Sequence, residues 1–145
     1  MAATSADNGY SSTFAIGDGG DPTETFTAVA EVFSITGPGR SRESIDATHL
    51  DSDNGYREFI PGGVIDGGEV TIELNYIPAT SDVLITALEN TAAGNFRITH
   101  PNLIALTFSG FCTAYEVGPI TVDEKLTLTA TFKITGQPTL SDETP

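Results

Sequence analysis

The sequence predicts a small β-rich α+β fold, a sandwich or barrel closed at one end by a single helix. Three observations carry that reading. Turn signals at Gly37-Pro38-Gly39, Asn54-Gly55, Pro61-Gly62-Gly63 and Asp66-Gly67-Gly68 punctuate short segments rich in Thr, Val, Ile and Phe, the mark of antiparallel strands. Glu69–Tyr76 and Lys125–Thr135 alternate apolar and polar residues, as strands with one buried and one wet face do. Only the segment 80–95 has helical spacing instead.

Taken in order, a first strand is expected at Thr13–Gly17 and a second over Phe26–Thr36, stopped by the Gly37-Pro38-Gly39 turn, because Pro presets φ and Gly permits positive φ. Ser41–Ala47 follows as a third strand. In Glu69–Tyr76 the residues Val70, Ile72, Leu74 and Tyr76 form an apolar face, while Glu69, Thr71, Glu73 and Asn75 form a polar one. A helix is expected over Asp82–Ala92. Thr80 or Ser81 is its N-cap, Leu84, Ala87 and Leu88 are its apolar stripe, and Gly94 stops it. Asn95–His100 reads as a short strand, and Ile104–Val117 as a long one with a bulge at Ser109-Gly110. Lys125–Thr135 closes the set, with Leu126, Leu128, Ala130, Phe132 and Ile134 opposite Lys125, Thr127, Thr129, Thr131, Lys133 and Thr135. The regular polar faces of this strand and of Glu69–Tyr76 point to one continuous wetted sheet surface.

A chain of 145 residues is expected to be a single domain able to bury its own core. Its 39% apolar content argues against disorder. No apolar run approaches the ~20 residues that span a bilayer, and MAATSADNGYSST has neither the basic nor the apolar region of a secretory signal. A reducing cytoplasm is therefore expected, which one cysteine, Cys112, suits. Six basic against twenty acidic residues give a net charge of −14. That excludes a protein gripping nucleic acid through phosphates, and one docking on an anionic membrane.

The run "HLDSDNGYREFIPGG" (49–63) resembles a calcium loop in composition but fails as one. With Asp51 at position one, Asp53 falls at three, Gly55 at five, Tyr56 at six and Gly62 at twelve. An EF-hand needs Gly at six and a bidentate Glu at twelve, between two helices. His49 lies near Ser44, Asp46 and Asp51 in sequence, but no nucleophile motif accompanies it, and His100 is far away. Both histidines read as surface or structural residues and Cys112 as a core residue. "GDGGD" (17–21) carries aspartates and precedes no helix, against a phosphate loop. Glu69 and Glu73 sit roughly 13 Å apart along one strand, too far for a glycosidase pair. The expectation is no enzyme, no metal and no cofactor.

The ordered set "FSITGPGRSRESIDATHLDSDNGYREFIPGGVIDGGEVTIELNY", "YIPATSDVLITALEN", "NFRITHPN", "LTFSGFCTAYEV" and "EKLTLTATFKITGQPTLSD" resembles the major tail tube proteins of long-tailed, lambda-type bacteriophages, from about residue 25 onward. Related tubes occur in gene transfer agents, contractile tails and type VI secretion. The resemblance implies a small twisted β-sandwich or barrel with one flanking helix. It also implies a virion protein that assembles in the host bacterial cytoplasm into hexameric rings stacked as a hollow tail tube. Partners implied are further copies of the chain, a tape-measure protein, tail-tip and terminator proteins, and double-stranded DNA passing through unbound. It further implies one domain over 1–145, with an N-terminal arm (1–12), a long inter-ring loop (48–68) and an acidic C-terminal tail (138–145). Asp51, Asp53, Tyr56, Arg57 and Glu58 are then loop residues that contact the next ring. Glu69, Thr71, Glu73, Asn75, Thr127, Thr129 and Thr131 become lumen-lining candidates, whose acidity would repel DNA. The competing reading is a non-catalytic β-sandwich binding module on a virion or cell surface, disfavoured by the lack of Trp.

Overall fold

A computed structural model describes residues 3, 4, 6, 8–20, 23–101 and 104–142. These form nine strands and one α-helix: β1 (Thr13–Gly17), β2 (Phe26–Ala28), β3 (Val32–Thr36), β4 (Ser41–Asp46), β5 (Phe59–Asp66), β6 (Glu69–Asn75), α1 (Pro78–Glu89), β7 (Gly94–Thr99), β8 (Ile104–Val117) and β9 (Thr127–Asp142). Seven strands make one antiparallel sheet in the order β2-β1-β7-β8-β9-β6-β3, while β4 and β5 pair only with each other.

The expected strand Phe26–Thr36 is two strands, and the break shapes the molecule. β2 lies at one edge of the sheet and β3 at the other, with only residues 29–31 between them. Laid flat, the seven strands would set those edges roughly 29 Å apart, and the link spans at most about 14 Å. The sheet therefore rolls until its two edges come within reach of that link. Glu31 turns with φ +57°, its carbonyl accepts the Asn75 amide at 3.1 Å, and the Val29 amide donates to the Phe14 carbonyl at 2.8 Å. Buried Val29 plugs the seam. The alternation of FTAVAEVFSIT hides this break, because no Gly or Pro marks it.

Inside the roll, β1, β7, β8 and β9 each contribute one phenylalanine. Phe14, Phe96, Phe108 and Phe132 are nearly solvent-free, with ring centroids from 4.8 Å (Phe96–Phe132) to 6.5 Å (Phe14–Phe108). Val70, Ile72 and Leu74 of β6 and Leu128, Ala130 and Ile134 of β9 complete the core, as the alternation requires. Leu84 of α1 is fully buried against it, so the helix caps the roll beside β8.

Other differences have local causes. The helix begins at Pro78, with Ile77 in the N-cap position, rather than at Asp82. Pro is preorganised for the first helical turn and overrides the Thr80/Ser81 signal. It ends at Glu89 because Asn90 turns extended, its side-chain oxygen accepting the Ala92 amide. β9 starts two residues later than expected and runs past Thr135 to Asp142, so 138–142 of the expected tail is strand; 143–145 lie outside the described residues. Gly136, Gln137 and Pro138 are absorbed at a register irregularity opposite Phe108, the kind of place where a strand tolerates Pro. The bulge expected at Ser109-Gly110 is thus carried mainly by β9, and a second one leaves Thr113 unmatched on β8. Of the expected N-terminal arm, residues 1, 2, 5 and 7 lie outside the described residues.

Truncating Phe132→Ala, a fully buried member of the aromatic cluster, should cost roughly 3–5 kcal/mol. Urea unfolding followed by circular dichroism measures it; a loss below about 1 kcal/mol would contradict the packing described.

Candidate functional site

The register sets Glu69 opposite Lys133, Thr71 opposite Thr131, Glu73 opposite Thr129 and Asn75 opposite Thr127. The seven residues proposed as a polar surface thus form one patch on the outer side of the roll. Partners that the sequence did not single out extend it: Ser34 and Thr36 of β3 flank Glu73 and Thr71, and Ala114 and Glu116 of β8 flank Thr131 and Thr129. The faint alternation in VFSIT was the only available signal for Ser34 and Thr36.

Both lysines near the patch are engaged. Lys133 donates to Asp66 at 3.0 and 3.3 Å, although Glu69 is its register partner. Asp66 also accepts the Gly68 amide at 2.8 Å. That amide first, and Lys133 second, hold its carboxyl below the ordinary value. The Lys125 ammonium sits 4.1 Å above the Phe33 ring, an attraction of cation and ring quadrupole. The carboxylates of Glu69, Glu73 and Glu116 stand exposed on the face.

The expected loop 48–68 is for the most part an arm. β5 folds against β4 as a hairpin, with Ile45 opposite Ile60 and Asp46 opposite Phe59. Pro61-Gly62-Gly63 reads as a turn in sequence but lies within β5, beside a register shift that absorbs it. From Ser41 to Asp66 only Gly62 is buried, while Ile45, Leu50, Tyr56, Phe59, Ile60, Val64 and Ile65 are exposed. At its base the chain leaves and returns through a tight crossing. Gly37 (φ +98°) and Gly68 (φ +85°) approach the Glu69 and Gly39 carbonyls so closely that a Cβ would overlap them, so both need glycine.

Asp51, Asp53, Tyr56, Arg57 and Glu58 gather at the arm's tip around a 3-10 turn at Asp53–Gly55. The tip is stitched by Ala47 N–H to the Glu58 carbonyl (2.8 Å) and by Glu58 N–H to Thr48 Oγ1 (2.9 Å). His49 Nε2 meets Glu58 Oε2 at 3.2 Å, and Ser52 Oγ donates to the same oxygen at 2.6 Å. The Asp51 amide donates to His49 Nδ1 at 3.2 Å. His49 is therefore partnered by Glu58 and Ser52, not by the sequence neighbours Ser44 and Asp46. The serine points at the carboxylate and not at the imidazole, so the trio stitches the tip and lacks a nucleophile–base pair. Asp46 is held below its ordinary value by Thr48, through hydroxyl and amide, with Arg57 at 3.8 Å.

Elsewhere, Cys112 is a buried core residue whose thiol burial pushes up. In 17–20 the Gly20 and Thr25 amides donate to Asp18, and the Gly19 amide to Glu24. The donors a phosphate would need are already occupied; Asp21 lies outside the described residues.

A family model described as lambda phage tail tube protein, TTP, matches residues 10–141. No curated protein matches the chain. Among solved structures, the tail of an empty gene transfer agent particle, refined with C6 symmetry, has a TM-score of 0.77 at 16% identity, over 94% of this chain and 99% of that one. The tube–sheath complex of an extracellular contractile injection system scores 0.66 at 13% identity, over 90% and 88%. The SPP1 tail tube scores 0.65 at 10% identity, over 92% and 78%. These likenesses show a shared fold.

The lowered carboxyls of Asp18, Asp46 and Asp66 make the fold acid-sensitive. A depressed folded value contributes stability above the unfolded value of 3.8 and loses it as pH falls through the folded one. Thermal melts from pH 5 to pH 2 should therefore show Tm falling below about pH 4, with a shallower fall in Asp66→Asn. Equal slopes for both chains would remove Asp66 from this account.

Proposed function

Because this chain belongs to the lambda phage tail tube protein family, and is a structural protein of the tail, we propose that its polar face lines a conduit and its arm joins successive rings. The observation that carries this reading is the separation of the two surfaces. A continuous polar patch lies on the outer side of a rolled sheet, and a separate hairpin arm exposes seven large apolar side chains. Exposed apolar area on this scale is a liability in a monomer and an interface in an assembly.

Six copies close into a ring. The free edges of β2 and β3 are natural sites for pairing between neighbours, which removes edges that would otherwise aggregate. Rings stack through the arm into a hollow tube. Glu69, Thr71, Glu73 and Asn75, with Thr127, Thr129 and Thr131, face the lumen, now joined by Ser34, Thr36 and Glu116. Duplex DNA carries one charge per ~1.7 Å, and an acidic wall repels it over roughly a Debye length of ~8 Å. DNA then slides without adhering. The engagement of Lys133 by Asp66 and of Lys125 by Phe33 supports this reading, since neither cation is presented openly to a phosphate. The role is mechanical and non-catalytic. Assembly takes place in the host cytoplasm with a tape-measure protein, a tail-tip initiator and a terminator.

Negative-stain electron microscopy of the concentrated protein over a range of salt, with isolated tail tips added if it stays monomeric, should show hollow tubes. Deleting Asp51–Glu58 should leave rings or monomers only. A wild-type chain that never polymerises under either condition would favour a binding module instead. Tubes of Glu69→Lys/Glu73→Lys should still assemble but co-sediment with duplex DNA at low salt and release it at high salt. Indifference to DNA in that variant would remove these residues from the lumen.

A further inference from the structure

The arm and the β8–β9 loop occupy opposite ends of the molecule. β3 ends at Thr36 opposite Thr71 and β6 begins at Glu69, so the arm leaves at the Glu69 end of β6. At the other end Asn75 pairs with Thr127, the first residue after the β8–β9 loop (118–126). Six residue steps of β6 separate the two, roughly 20 Å.

That loop has an unusual surface. Its base is closed by the Gly118 amide donating to the Thr127 carbonyl at 2.8 Å, and Lys125 ties it down on Phe33. At its tip Ile120 is 79% and Val122 101% exposed, beside exposed Asp123 and Glu124. Solvent alone does not explain two bare aliphatic residues on a pinned loop. The tip of the arm exposes Leu50 and Tyr56 beside Arg57, whose side chain is 77% exposed with a single contact at 3.8 Å to Asp46. It also carries Asp51, Asp53 and Glu58, the last engaged by His49 and Ser52, and it matches that loop through its apolar side chains and one arginine.

Resting on the tail tube reading above, we infer that the β8–β9 loop is the receptor for the arm of a second copy in the adjoining ring. Leu50 and Tyr56 pack on Ile120 and Val122, and Arg57 pairs with Asp123 and Glu124. Two unlike patches at opposite ends make a head-to-tail contact, which does not close on itself and so propagates. Ring closure through sheet edges and stacking through arm and loop then use separate surfaces.

The test mixes two differently tagged chains, Arg57→Cys and Val122→Cys, lets them assemble, and oxidises them mildly. Native Cys112 is buried and stays silent, as a wild-type control verifies. A heterodimer carrying both tags, found in sedimented tubes but not in unassembled chains at the same concentration, is the expected result. Separately, Asp123→Lys/Glu124→Lys should raise the protein concentration needed for tubes by roughly tenfold or more. Adding Arg57→Glu to that chain should restore assembly, and unchanged melting temperatures would show that the fold is intact. Tubes that form without the heterodimer, or charge reversal without effect, would overturn the pairing and leave the tail tube reading standing. A wild-type chain that makes no tubes, even on isolated tail tips, would overturn both.

Discussion

A link of three residues, 29–31, joins strands at the two edges of a seven-stranded sheet, and the architecture follows from how short it is. A sheet held at both edges by so short a tie must roll, and rolling gives it an inside. The four phenylalanines from β1, β7, β8 and β9 fill that inside, and α1 covers it with Leu84. Twist alone would coil the sheet without drawing β2 toward β3; the short tie does so without an eighth strand.

Once the roll exists, strand alternation becomes a division of labour. Every residue that pairs inward, such as Val70, Ile72, Leu128 or Phe132, leaves its neighbour facing out. The outward set on β6 and β9 is Thr and Glu with one asparagine and one lysine, and that lysine is held by Asp66 at the arm's base. The arm leaves the sheet at the glycine crossing of Gly37 and Gly68, and its apolar residues stay exposed. Core, wet face and arm are thereby separate surfaces within 145 residues.

Much of this was legible in advance. β1 and β8 carry their predicted boundaries, because turn residues bracket them and their alternation is long. The seven polar residues of β6 and β9 fall on one face, since a period of two admits no other arrangement once the apolar partners are buried. The helix was legible as a helix but not at its start, where Pro78 outweighed the polar cap. Less visible were features written in contacts rather than in pattern. Glu58, not Asp46, meets His49, because hairpin pairing brings residues nine apart together across the tip. β5 was hidden by its glycines, which mark turns in most sequences and here lie in a bulged strand.

The sequence by itself determined which side of β6 and of β9 is wet, the net charge of the chain, the absence of a nucleophile motif and, through an ordered set of segments, the family. Those properties depend on residue type and local period, which a single chain displays directly. The tertiary structure alone decided that Phe26–Thr36 breaks across the seam, that an apparent loop is an arm, and that arm and β8–β9 loop stand at opposite ends. Such facts depend on which strands become neighbours, and neighbourhood is set by chain closure and long-range packing rather than by any local stretch of residues.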